Sequence, residues 1–165
     1  MFVLLRQLAD LRRRQGLARG ARARSAAIRH VDAGSCNGCE HELGLVTSPI
    51  YDLQRFGLDI VASPRHADIL LVTGPVTTRM HRALRTAYDA MPEPRLVAAL
   101  GDCALGCNVL GDRAELIGAL EDVLPLDIRI TGCPPSPGAI AEQLLAGLDH
   151  TVTAAHRPAS PASPG

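Results

Sequence analysis

Two thiols in Gly34-Ser35-Cys36-Asn37-Gly38-Cys39-Glu40 stand three positions apart, with glycine at the turn between them. Such a turn aims both side chains the same way, so the pair can hold one metal centre or form a redox dithiol. CxxC alone is shared by zinc knuckles, thioredoxin-like sites and iron–sulfur sites. The other three cysteines lie far along the chain, in Gly101-Asp102-Cys103-Ala104-Leu105-Gly106-Cys107 and in Gly132-Cys133-Pro134-Pro135. A dithiol at Cys36 and Cys39 leaves those three without a role. Structural zinc usually takes two close pairs. Cys103 and Cys107 offer a loose second pair for zinc, with Cys133 left over. Cys36, Cys39, Cys103 and Cys133 together suit a bulkier iron–sulfur cluster reached from several loops, and Cys-Pro often closes such motifs. Spacing favours iron–sulfur over zinc and leaves both open.

Positioning these thiols falls to the elements around them. From Ile28 onward, short apolar runs alternate with amphipathic segments. Strands are expected at 28–32, 58–62, 69–73, 95–100 and 126–130, and helices at 40–46, 51–56, 80–90, 112–123 and 136–148. Ile69-Leu70-Leu71-Val72 is apolar on both faces, as a parallel strand covered by helices should be. The alternation predicts an α/β fold: a flavodoxin-like open parallel sheet of four or five strands with helices on both faces. Ligands in such sheets bind beyond the carboxyl ends of the strands. Cys36 and Cys39 follow the first strand, Cys103 the fourth and Cys133 the fifth, so the topology alone brings four thiols to one edge.

The chain has 165 residues and is 47% hydrophobic, enough for one domain with a real core. Aromatics make up only 2%, so that core must be built from Leu, Ile, Val and Ala. Three parts are expected: a basic amphipathic arm and linker at 1–27, the cluster-binding domain at 28–149, and a Pro/Ser/Ala-rich disordered tail at 150–165. The arm sets Leu4, Leu5, Leu8 and Leu11 at helical spacing among arginines, which suits peripheral contact of residues 1–20 with a membrane or a partner. Formal net charge is zero and aromatic stacking residues are scarce, which argues against nucleic acid. Five cysteines without a secretory signal read as reduced cytosolic thiols. No segment approaches the ~20 apolar residues of a membrane span.

Several stretches carry a resemblance. Asp32-Ala33-Gly34-Ser35-Cys36-Asn37-Gly38-Cys39-Glu40, Ser48-Pro49-Ile50-Tyr51-Asp52, Arg55-Phe56-Gly57 and Ala62-Ser63-Pro64-Arg65-His66-Ala67-Asp68-Ile69-Leu70 resemble the small subunits of membrane-bound NiFe hydrogenases and formate hydrogenlyase. Met91-Pro92-Glu93-Pro94-Arg95, Gly101-Asp102-Cys103-Ala104 and Gly132-Cys133-Pro134-Pro135 are similar to the related B subunit of respiratory complex I. The resemblance implies one [4Fe–4S] cluster held by Cys36, Cys39, Cys103 and Cys133, with Cys107 an alternative to Cys103. It further implies an electron-transfer subunit without catalysis of its own. Its partners would be a hydrogenase-like or complex-I-like large subunit, further iron–sulfur subunits and membrane subunits, at the cytoplasmic face of the cell membrane. The complex I subunits have adjacent cysteines in the first loop, so CxxC points to the hydrogenase branch. The alternatives are a complex I B-type subunit feeding quinone and, in a different class, a zinc-stabilised interaction module.

The neighbours of the cysteines have their own readings. Backbone N–H groups of Gly34, Gly38, Gly101 and Gly132 are candidate donors to cluster sulfur. Glu40 and Glu42 suit a helix N-terminus first and a subunit interface second. His30, His41, His66 and His81 are assigned no ligand role. Gly74-Pro75-Val76-Thr77 is expected to border the site, and it fits no phosphate loop.

Overall fold

The computed structural model describes residues 25–107 and 113–155. The basic arm, apart from its last residues, and the end of the tail lie outside the described residues. Five parallel strands form the main sheet: β1 (Ala26–Asp32), β2 (Leu58–Ile60), β3 (Ile69–Thr73), β5 (Leu96–Leu100) and β7 (Ile128–Ile130). Their spatial order is β2-β1-β3-β5-β7. Among the five in chain order that is 2-1-3-4-5, the flavodoxin-like arrangement expected from the sequence. β1 pairs with β3 from Ile28↔Ile69 to Asp32↔Thr73, and β3 with β5 from Ile69↔Leu96 to Thr73↔Leu100. Asp32, Thr73 and Leu100 therefore finish level, at the edge where the cysteine loops begin.

Both faces of the sheet are covered. On one side pack α1 (Gly38–Val46) and α3 (Pro137–Ala155), which send Leu43, Val46, Ile140 and Leu144 against Ile28, Ile69, Leu71 and Ile130. On the other, α2 (Thr78–Asp89) contributes Leu84, joined by Met91, Leu120 and Leu124, against Leu70, Val72, Val97 and Ala99. Every residue of β3 is buried, which explains its unbroken apolar run. Thr77 caps α2 by accepting from the Met80 N–H at 3.4 Å. Among the described residues, no helix is long and apolar enough to cross a membrane.

Three expectations need correction. Residues 112–123 do not form a helix: the described part holds a 3-10 turn at Arg113–Glu115, the strand β6 (Leu116–Gly118) and a second turn at Leu120–Asp122. β6 pairs antiparallel with a two-residue strand, β4 (Val76–Thr77). Leu116, Leu120 and Leu124 have helical spacing, but Gly118 takes φ +155°, a conformation that ends any helical run. The segment expected as a helix at 51–56 is a single 3-10 turn, Leu53–Phe56, because Asp52 and Gly57 on either side both adopt left-handed backbone. α3 continues to Ala155, past the expected end at 148.

Candidate metal centre

Each cysteine loop is shaped by a carboxylate or hydroxyl at a strand end. Asp32, the last residue of β1, accepts from the N–H groups of Gly34 (2.8 Å) and Ser35 (2.7 Å). That Asx turn bends the chain off the sheet. Ser35 Oγ accepts from the Asn37 N–H at 3.1 Å, and α1 starts immediately after, with Cys39 in its first turn. Thr77 of β4 holds the loop from the side by donating its hydroxyl to the Ala33 carbonyl at 2.8 Å. The 74–77 stretch, expected from the sequence to border the site, thus packs against the residues that lead into the Cys36–Cys39 turn.

The other two loops are tied to each other. Asp102 Oδ1 accepts from the Gly132 N–H at 2.7 Å, and the Asp102 N–H donates back to the Gly132 carbonyl at 2.9 Å. This reciprocal pair fixes the Cys103 loop against the Cys133 loop across 30 residues of sequence. Successive turns at Ala104, Leu105 and Gly106 then fold the Cys103 segment back, and the Cys107 N–H donates to the Asp102 carbonyl at 2.9 Å.

The three loops meet around Cys39. Gly101 sits under its sulfur with φ +90°, and a Cβ there would lie 2.6 Å from Cys39 Sγ. Only glycine allows both that backbone and that approach. On the far side, a Cβ at Gly38 would lie 3.5 Å from Cys36 Sγ and 3.8 Å from Pro134, so the Cys36–Cys39 turn abuts the residue after Cys133. Cys39 is half-buried, as is Cys103, whereas Cys36, Cys107 and Cys133 are exposed. Burial pushes the Cys39 thiol up to about 12, and the charges of Glu40, Cys103, Cys36 and Cys133 push it the same way. The Cys39 sulfur thus sits within electrostatic reach of the three other thiols singled out from the sequence. Among the described residues, no three or more His, Cys, Asp or Glu side chains close tightly enough to grip a single metal ion.

Two readings of the surroundings change. The N–H groups of Gly34, Gly101 and Gly132 are spent inside the protein, on Asp32, on the Ile130 carbonyl (2.8 Å) and on Asp102. They are not donors held in reserve for cluster sulfur. Glu40 does not simply decorate a helix N-terminus: it turns inward, accepts from the Thr73 hydroxyl and lies 3.7 Å from His30 Nε2. His41 and His66 are exposed. The arginines of α2 serve the fold's rim: Arg85 donates to the Val123 carbonyl at 3.0 Å, and Arg79 makes an exposed pair with Glu115 at 3.9 Å. Of the groups that shape the site, Asp32 is expected from the sequence only as a strand end, although Asp-x-Gly-Ser is a turn signal that could have marked it. Asp102 and Thr73 carried no such sign.

Residues 36–147 match the family described as NADH ubiquinone oxidoreductase, 20 Kd subunit. The chain belongs to that family. The matched stretch begins at Cys36 itself and takes in all five cysteines. The probable membrane-bound hydrogenase subunit mbhJ of Pyrococcus furiosus is 42% identical over 126 residues, covering 76% of this chain and 75% of the relative. Formate hydrogenlyase subunit 7 of Escherichia coli K12 is also 42% identical, over 116 residues. There the match covers 70% of this chain but only 46% of the relative. Among solved structures, a chain of the membrane-bound sulfane sulfur reductase, an archaeal respiratory membrane complex, superposes with a TM-score of 0.64 at 30% identity. That match covers 82% of this chain and 74% of the other.

Proposed function

We propose that this chain is the electron-transfer subunit of a hydrogenase-like membrane-associated oxidoreductase, holding one [4Fe–4S] cluster through Cys36, Cys39, Cys103 and Cys133. The observation that carries the reading is the meeting of three cysteine loops from separate strand ends around Cys39: Gly101 lies against its sulfur, Pro134 against its turn, and Asp102 clamps the Cys103 and Cys133 loops together. The donor set fits the group in kind: it is all thiol, it is carried by loops that leave three strands of one sheet, and glycine clears the floor beneath Cys39. When bound, a four-iron cluster supplies a one-electron relay at a potential set by its ligands and their surroundings.

The chain's own residues do the rest. Asp32 and Asp102 hold the ligand loops at fixed separation, and the apolar layer of Leu43 and Leu100 below limits water from the sheet side. Cys36 and Cys133 remain exposed, so the site opens away from the sheet, toward where a large subunit would dock. Leu45, Ile50 and Tyr51 leave apolar surface uncovered at the other end of α1, as a subunit of a larger assembly does. Cys103 is half-buried and follows Asp102, which clamps the Cys133 loop, whereas Cys107 is exposed beyond the turns at 104–106, so Cys103 is assigned as the third ligand. The relatives named as hydrogenase and hydrogenlyase subunits, one of them membrane-bound, support a hydrogenase-like large subunit as partner and a place in a membrane-associated complex; on this reading the subunit sits at the cytoplasmic face.

The test is anaerobic purification with the neighbouring subunits, followed by iron, sulfide and zinc analysis and EPR before and after dithionite. About four iron and four sulfide per chain are expected, with a signal on reduction. Cys133→Ala should abolish that signal and Cys107→Ser should keep it. Stoichiometric zinc without iron would overturn the redox reading and leave an interaction module.

A further inference from the structure

Thr73 ends β3 and is the only polar or charged side chain fully buried among the described residues. The rest of its strand is Ile, Leu, Leu and Val, and valine would fill the same space. Burying a hydroxyl there costs free energy unless it is bonded, so the fold alone gives no reason for it.

The reason lies in what the hydroxyl joins. His30 Nε2–H donates to Thr73 Oγ at 2.9 Å, and the Thr73 hydroxyl donates onward to Glu40 Oε1. Burial lowers His30 below the ordinary imidazole range, against the pull of Glu40 and Asp32. A neutral ring with one N–H matches the direction of that chain. Glu40 Oε2 is buried with no hydrogen-bond partner. The position of this carboxylate therefore depends on what Oε1 receives, and without the hydroxyl only His30 at 3.7 Å is near. Glu40 is bonded in sequence to Cys39, the residue on which the other thiols converge.

We infer that Thr73 is a positioning residue for the metal centre. Its hydroxyl anchors Glu40, and that anchor fixes the first turn of α1 and hence the direction of the Cys39 thiol. The inference rests on the cluster reading above, and the experiment separates the two. Thr73→Val and Thr73→Ser are introduced into the chain co-expressed with its partner subunits. The readouts are iron loss to a chelator over time, the EPR spectrum of the reduced centre, and alkylation of Cys39 in the metal-stripped complex. Thr73→Val is expected to lose iron at least about tenfold faster, the lower end of the factor for one hydrogen bond to a charged group, with an altered EPR spectrum and faster Cys39 labelling. Thr73→Ser, which keeps the hydroxyl, should match the parent in all three. Should Thr73→Val fail to fold, Glu40→Leu removes the same bond from the other side and should lose iron as fast. The inference is overturned if Thr73→Val or Glu40→Leu matches the parent. It is equally overturned if Thr73→Ser loses as much as Thr73→Val, since the methyl group would then be what matters. A parent complex without iron sinks the cluster reading, while the Cys39 labelling rates still decide whether Thr73 positions the thiol.

Discussion

Replacing Gly101 by alanine tests the centre of the site with one methyl group. The added Cβ meets Cys39 Sγ at 2.6 Å, so the sulfur or the backbone must give by roughly 0.8 Å to regain ordinary contact at 3.4 Å. Overpacking of this kind costs about 1–3 kcal/mol. The backbone at φ +90° adds about 1–2 kcal/mol for a residue with a side chain. Together Gly101→Ala should destabilise the chain by about 2–5 kcal/mol. For a protein of this length each kcal/mol moves the melting temperature by roughly 2–4 °C, so a fall of roughly 4–20 °C is expected. The control is Gly44→Ala on the exposed side of α1, where nothing lies within 4 Å. Alanine there should raise stability by up to about 1 kcal/mol. Denaturant melts of both variants, with iron per chain after anaerobic reconstitution, make the assay. Gly101→Ala within about 0.5 kcal/mol of the parent and with full iron would refute the packing of Cys39 against Gly101.

Other outcomes follow from the same geometry. With its thiol pushed from 9.0 up to about 12, Cys39 should carry about a thousandfold less thiolate than an ordinary cysteine in the metal-free chain. Iodoacetamide followed by mass spectrometry should therefore label it well after the exposed Cys36, Cys107 and Cys133, and early labelling of Cys39 would contradict its burial. His30 is held neutral by burial while the unfolded chain protonates it near 6.5, so the unfolded state binds more protons below that pH. Stability should fall as pH drops below about 6.5. Comparing denaturant midpoints of the parent and His30→Gln should show a shallower fall in the variant, and an equal or steeper one would count against the assignment. Gly147→Ala brings a Cβ to 2.6 Å from Ile128, between α3 and β7. The clash should outweigh the better helix propensity and cost about 1–3 kcal/mol, whereas a rise in melting temperature would mean that α3 sits farther from the sheet.

Much of this was legible because the strong signals are local or periodic. Ile69–Val72 could only be a strand buried on both faces, and β1, β5 and β7 follow the same logic within two residues. The cysteines were readable because glycines flank them and strand ends precede them. Several of the failures share a physical cause, which is pairing across long sequence distance, while the 51–56 helix failed locally, at the left-handed Asp52 and Gly57. β4 has two residues, too few to show a period, and its partner β6 lies about 40 positions away within a stretch spaced like a helix. The Asp102–Gly132 clamp and the Thr73–Glu40 bond each span 30 or more residues. Nothing at Glu40 itself distinguishes an acid turned inward from one that merely suits a helix terminus. Two of the glycine N–H groups misled for the same reason: Ile130 and Asp102, the acceptors of Gly101 and Gly132, become visible only once the sheet is assembled, whereas Gly34 finds Asp32 two residues away.

The strand order has a consequence for how the chain matures. Cys36 leaves β1 and Cys133 leaves β7, with β3 and β5 lying between them. On the proposed ligation, one cluster would staple the sheet across four strands and close a loop of about 97 residues. By the chain-entropy reasoning used for disulfides, a cross-link of that span is worth on the order of 4–5 kcal/mol. The fourth thiol exists as a ligand only after β7 has docked on β5, so a half-made sheet offers an incomplete set. Cluster loading would then act as a checkpoint on folding: it seals the finished sheet and passes over the unfinished one.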